Sequence, residues 1–287
     1  MRSPVVGCGL AAVALALAVC GCDSSPAPRG EKITLKLNLK PGDKVKMTAD
    51  IDMKMNVKPP GQGAQKVNMA MGFGMGFDVL DVDEEGVHTI KATYDRVRMN
   101  VSGGGQSMAY DSDKPSAASN PALKMLGAMV GSSLTMKVTP QGKTLEVTGV
   151  DEMVEKMSED APPGAQANLE QQAESITQSF DQMMAALPKE PVDIRDTWSG
   201  SMEMSTDPNM PMKVDATYTL YDRKDGKAII KINGKMTSSK GISGTMEGTM
   251  RIDEETGWTE GGEMNMEMQG KVQGMEMEME GKITFGS

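Results

Sequence analysis

Beyond residue 22 the sequence contains no cysteine, so the folded part of the chain has no disulfide framework and no cysteine-based metal site. Packing alone must hold it together. There is one histidine, His88. A Ser-His-Asp triad would have to use it, and no Gly-x-Ser-x-Gly elbow accompanies it. His88 follows a glycine turn in a strand and reads as a partly exposed strand residue. Aromatic residues make up only 3% of the chain, so the core must come from Met, Val, Ile and Leu. An excess of positive charge is also missing. Against 30 Lys and Arg stand 40 Asp and Glu, for a net charge of -10 and a pI near 4.8. This excludes a nucleic-acid binder, which needs a basic face. It also excludes attachment to anionic lipid through basic patches.

Phosphate and calcium loops are equally lacking. Gly142-Lys143-Thr144 has no upstream glycine of a P-loop. Asp81-x-Asp83 with Gly86 starts like an EF-hand, but Ala92 stands where the closing Glu belongs, so this is a hairpin turn. The carboxylates alternate with methionine along predicted strands, and no acid/base pair stands out. We expect no catalytic residues, no cofactor, no metal and no enzymatic activity.

Long apolar runs occur once. Met1-Arg2 is followed by Val5 to Val19, rich in Val, Ala, Leu and Gly. That run is too short for an ordinary membrane span and suits the apolar stretch of a signal peptide over 1–21. It ends in Val19-Cys20-Gly21-Cys22, which resembles the bacterial lipobox. The resemblance implies cleavage after Gly21, lipid on the Cys22 sulfur and acylation of the new amine. Two or more acyl chains, at about 0.8 kcal/mol per methylene, give lasting attachment to a membrane. Residues 22–30, with Asp23 to Gly30 as a polar Pro/Ser stretch, form the tether. The expected location is the cell envelope, facing the periplasm or exterior.

From Glu31 onward the dominant signal is alternation. Ile33, Leu35, Leu37 and Leu39 alternate with polar residues and predict a strand. Val45 to Val57 and Val67 to Val79 follow the same period, the latter with Gly72, Gly74 and Gly76 on its other face, where glycine suits curvature or close approach. Further alternating stretches carry Ile242, Met246, Met250 and Ile252, then Met264 to Met268, then Met275 to Phe285. The apolar parity switches at Gln273-Gly274, which requires a turn or bulge. Asp83 to Gly86, Asp222 to Gly226 and Asp253 to Gly257 read as hairpin turns.

The middle differs. Pro121 to Val130 and Asp151 to Met157 read as short helices, the second capped by Asp151, and Asn168 to Leu187 as a longer one. A hairpin turns around Pro140-Gln141-Gly142. The fold class is α+β, mostly antiparallel β, with about a dozen strands in one large curved sheet or half-barrel covered by a few helices. We read 31–287 as a single β-rich domain. It also reads as two related β halves, 31–111 and 191–287, joined by a helical segment over 121–188.

Methionine is the unusual abundance, at 29 residues. Alternate strand residues lie ~6.8 Å apart on one face. Met69, Met71, Met75, Met264, Met266 and Met268 therefore stand as the candidate lining for an apolar small molecule or envelope protein. Core packing is the plainer explanation of the same residues. Soft thioethers also suit Cu(I).

Leu39 to Asp43, Tyr94 to Val97, Tyr110 to Asp113 and Val138 to Lys143, with the C-terminal Gly-x-Met strands, resemble a family of uncharacterised bacterial lipoproteins. The resemblance spans Lys32 to Phe285 and carries no activity. The curved sheet with helices also looks like the half-barrel of lipoprotein carriers. The implied role is a membrane-anchored, non-enzymatic binder of an apolar ligand or protein partner. A structural envelope tether and Cu(I) binding are the alternatives.

Overall fold

The computed structural model describes residues 30–61, 63–114, 126–159, 187–204, 212–272 and 274–287. Gly21, Cys22 and nearly all of the helix expected over Asn168 to Leu187 lie outside the described residues. The first arm of the chain forms β1 (Lys44–Lys58), β2 (Gln65–Val82), β3 (His88–Gly103), β4 (Gln106–Asp111), β5 (Ser133–Val138) and β6 (Thr144–Thr148). Helix α1 (Val150–Glu159) follows. The second arm is β7 (Thr197–Met204), β8 (Met212–Lys224), β9 (Lys227–Ser238), β10 (Ile242–Asp253), β11 (Thr259–Val272) and β12 (Met275–Gly286).

All twelve strands join one open antiparallel sheet in the order β6-β5-β3-β2-β1-β12-β11-β10-β9-β8-β7, with β4 beside the distal half of β3. The chain starts at the middle, steps out to one edge, crosses to the other edge and steps back. The first and last strands therefore meet at the centre, paired from Thr48↔Gly286 to Lys58↔Glu276. This is the mostly antiparallel sheet that the alternation predicts. Tight reversals keep neighbours adjacent. At the β8–β9 turn Asp225 and Gly226 both take positive φ, 53° and 73°, the geometry that matches strand twist.

The methionines and glycines of the sheet fit each other. A Cβ on Gly244 would stand 2.7 Å from Met268 Cγ, one on Gly248 2.8 Å from Met264 Cγ, and one on Gly281 3.2 Å from Met266 Cε. The thioether chains thus lie sideways over gaps left by glycine on the next strand. Unbranched, adaptable side chains suit that task. On the opposite face Gly72 serves the same end: Arg98 on β3 reaches across it to Asp50 on β1, at 2.9 Å.

In the first arm the buried side chains gather at the end of the sheet where β1 begins and β2 ends, which we call the proximal end; in the second arm they extend as far as Val214 and Met236, level with Met55 of β1. The second arm contributes Val214, Leu220, Ile230 and Ile252 to one cluster, and the first arm contributes Phe77, Ile90, Leu134 and Val138 to another. Helix α1 closes the first-arm cluster with Val150, Met153 and Met157. It begins at Val150, which puts Asp151 in the first turn rather than at the cap, beside the positive helix end.

Alternation over Ile33 to Leu39 predicts a strand, but this stretch is no strand of the sheet. It is an extended strap across the proximal end. Its one ladder contact is Ile33↔Val192. Leu37 N–H donates to Pro140 O at 2.7 Å and Asn38 N–H to Thr256 O at 2.8 Å. Leu35 enters the second-arm cluster, and Leu37 and Leu39 the first-arm one. Burial of each contributes roughly 2 kcal/mol. Alternation reports one buried face without naming the partner that buries it.

Ion pairs fasten the strap's docking turn. Arg223 grips Glu254 bidentately at 2.9 and 2.7 Å and donates to Glu31 O at 3.0 Å. Lys227 bridges Asp253 and Glu260. Burial raises the Asp253 pKa, but Lys227 and the Thr256 amide and hydroxyl outweigh it and bring it down to about 2.

His88 corrects the sequence reading as well. It is 2% exposed. One ring nitrogen, Nε2, lies 3.2 Å from the Leu39 carbonyl, which a protonated Nε2 satisfies as donor. Nδ1 has no partner among the described residues. Burial holds the imidazole below its ordinary value, against several backbone contacts that raise it. A folded-state pKa below the unfolded one means unfolding takes up a proton. Stability is therefore full above the ordinary imidazole range, ~6.5, and declines as pH falls through it. Urea unfolding at pH 7.5 and 5.5 should show this decline. His88→Gln should flatten it, and an equally steep variant would exclude His88 as its source.

Candidate functional site

The two faces of the sheet offer different chemistry toward the distal end of the central strands. On the apolar face, β1, β2 and β12 carry a methionine band. Met53 pairs with Met69, Met55 with Val67 and Met279, and Val57 with Met277. These residues are part-exposed and belong to neither core cluster. Each neighbour is apolar, so the patch is continuous across three strands.

The structure separates the methionines singled out from sequence. Met69 and Met71 lie in this band on β2. Met75 packs against the first-arm core. Met266 is buried in the second-arm core, with Met264 and Met268 packed against it. The six do not gather into one lining. Sequence reasoning grouped them by strand, whereas the band is defined by register between β1 and β12, which are separated by most of the chain. Among the described residues no group of three or more His, Cys, Asp or Glu is arranged to hold a metal.

The polar face carries a feature that alternation did not point to. An open cavity of about 870 Å³ spans β2, β1, β12, β11, β10 and β9. Two cross-strand rows line it. One runs Asn68, Lys54, Glu280, Glu267, Thr245, Lys235. The next runs Lys66, Asn56, Glu278, Gln269, Ser243, Thr237. Between them runs the row Met55, Met279, Met268, Gly244 and Met236, whose side chains point to the apolar face, so that only the strands themselves form the floor. The cavity is thus an open groove between two rows of side chains. The methionine band lies on the reverse.

The cavity charges are sorted by strand. Lysines stand on β1, β2 and β9, and carboxylates on β11 and β12. Asn56 Nδ2 donates to Glu278 Oε2 at 3.2 Å. Asn56 Oδ1 is buried without a partner among the described residues. Polar side chains sharing one face of six strands leave no trace in local sequence beyond ordinary alternation, which explains why they were missed.

No curated protein matches the sequence. A model for a family of unknown function (DUF6263) matches residues 85–259, from the β2–β3 turn to the first residue of β11. Among solved structures, lipovitellin, described for its lipid–protein interactions, is 9% identical with a TM-score of 0.43. That match covers 86% of this chain and 25% of the other, so the chain spans about a quarter of the lipovitellin chain's length. DynF from the dynemicin biosynthesis pathway of Micromonospora chersina is 7% identical, with a TM-score of 0.20, covering 93% of this chain and 90% of that one.

Proposed function

Starting from a chain that belongs to the DUF6263 family of unknown function, we propose that it is a membrane-tethered, non-catalytic docking module of the cell envelope. Lipid on Cys22 anchors it, and the methionine band of β1, β2 and β12 contacts a protein partner with an apolar surface. The observation that carries this reading is the band itself: contiguous, part-exposed and outside both cores. Methionine is polarizable and unbranched, and recurs on surfaces that adapt to partners. Apolar patches of this kind on soluble domains mark interaction sites.

The lipid anchor rests on the Val19-Cys20-Gly21-Cys22 pattern and the polar tether behind it. The tether enters the fold at the proximal end, where Gly30 N–H donates to Asp193 Oδ1 at 2.9 Å. The band lies at the other end of the strands. The module therefore presents its contact surface away from the anchoring membrane.

The test uses the full chain in its own host. A photo-crosslinking residue at Met71 should yield a discrete adduct. Met53→Lys with Met279→Lys should abolish it, while the melting temperature of the purified variant stays within a few degrees, as part-exposed sites usually cost little. Absence of any adduct from Met53, Met69 and Met71 alike would sink the docking role.

A further inference from the structure

We propose that the open polar cavity is a second binding site, which takes a short peptide of about three residues with free termini. Its ammonium would sit on Glu267 and Glu280 and its carboxylate between Lys54 and Lys66. This goes beyond the docking role, which uses the opposite face.

The volume, about 870 Å³, falls in the range of small-molecule sites. The lining carries three lysines and three glutamates and no aromatic ring. The balance favours a ligand with both signs over a polycation or polyanion. The lack of rings removes the stacking platforms that bases use.

The charges themselves point to an absent partner. Glu267 stands directly opposite Glu280 in register. Like charges so placed destabilise a sheet. Glu280 has Lys54 opposite it on its other side without forming an ion pair, whereas Lys137–Glu146 at 2.8 Å and Lys282–Glu263 at 3.2 Å do pair. Among the described residues Glu267 and Glu280 make no ion pair, and neither do Lys54, Lys66 and Lys235. An ammonium between the two carboxylates would relieve the repulsion.

Spacing sets the length. The seam between β11 and β12 lies two strand positions from the seam between β1 and β2. At ~4.8 Å per strand that is about 10 Å. A free amino acid is too short to join the two ends. Three extended residues, at ~3.4 Å each, span it. Asn56 lies between the ends, with Lys66 on one side and Glu278 on the other. Its amide donates to Glu278 and holds that carboxylate at the edge of the cavity.

Calorimetric titration of the full chain at low ionic strength tests this with trialanine, N-acetyl-trialanine, trialanine amide and spermidine. Trialanine should bind with a Kd below about 1 mM. Blocking either terminus should weaken it at least about ten-fold, as each removes one charge contact. Glu280→Gln should weaken trialanine by a similar factor while its melting temperature stays level or rises, because a repulsion is removed. A residue needed only for folding would move the melting temperature the other way. Lys54→Gln should weaken trialanine but not alter the penalty for N-acetylation. Glu263→Gln, outside the cavity, should leave binding unchanged. Three results would each overturn the assignment: no trialanine binding at 10-fold higher concentration, blocked peptides binding as well as the free one, or spermidine binding more tightly than trialanine.

Discussion

Gly257→Ala should cost the protein a large share of its stability, on the order of 4–6 kcal/mol out of the few to fifteen that a domain possesses. Gly257 lies in the β10–β11 turn with a φ of 66°. A methyl there would stand 2.0 Å from the Lys36 carbonyl oxygen, 2.4 Å from its carbon and 2.9 Å from the Leu37 nitrogen. All three are backbone atoms, so no side chain can swing aside. The turn cannot easily yield either. Asp253 N–H donates to Trp258 O at 2.9 Å and Gly257 N–H to Asp253 O at 2.8 Å, while Asp253 Oδ1 accepts from the Thr256 amide and hydroxyl. The strap must therefore lift. Its leucines then lose contact with both cores, at roughly 2 kcal/mol per side chain, on top of about 1 kcal/mol for the left-handed backbone. Thermal melts should register a drop of about 10 °C or more. Gly226→Ala is the control. Its φ of 73° is similar, but a Cβ there meets nothing within 4 Å, so it should cost only the backbone term, about 1 kcal/mol. Equal losses for the two variants would mean that the strap does not lie against this turn.

Cys22→Ser should abolish acylation of the protein. Serine offers an oxygen where the thioether bond forms, so no acyl chain is attached at that position. Sixteen-carbon chains at about 0.8 kcal/mol per methylene supply far more attachment energy than any other part of the molecule. The remaining chain has no basic patch to substitute for them: the net charge is -10. Among the described residues no helix is long and apolar enough to cross a bilayer. Labelling growing cells with a radioactive or clickable palmitate should mark the native chain and leave Cys22→Ser dark. The variant should either accumulate with its first 21 residues still present or appear in the soluble fraction. Acyl label on the variant would refute Cys22 as the attachment site.

Much of the sheet was legible because period-2 alternation is a local signal. Val45 to Val57 and Val67 to Val79 fall within β1 and β2, and the parity switch at Gln273-Gly274 marks the β11–β12 turn. Partners are another matter. Leu35, Leu37 and Leu39 alternate as cleanly as any strand, yet they pack as a strap, since alternation is blind to what lies opposite. The cavity was illegible for the same reason. Lys54 and Glu280 are adjacent only because the first and last strands pair, a contact between residues more than two hundred positions apart that no window along the chain reports. Gly72 was legible as a close approach. What approaches it, the Arg98 to Asp50 bridge, was not. His88 read as partly exposed because it follows the Gly86 turn at the start of a strand, while the strap that buries it arrives from the N-terminal side.

The central pairing of β1 has a mechanical consequence. Tension applied at residue 30 would first load the strap, whose bonds to Val192, Pro140 and Thr256 are few. Once these gave way the force would pass into β1 along its own axis. That strand is held on both sides, by β2 from Lys44↔Asp78 to Val57↔Gln65 and by β12 over most of the same length. Antiparallel hydrogen bonds run perpendicular to the strands, so the pull would shear both ladders at once rather than unzip one bond at a time. A strand at the sheet edge pulled sideways would have no such resistance. The order of strands thus makes the protein a spring with a soft first stage and a stiff second one, with the compliant element nearest the point where the load enters.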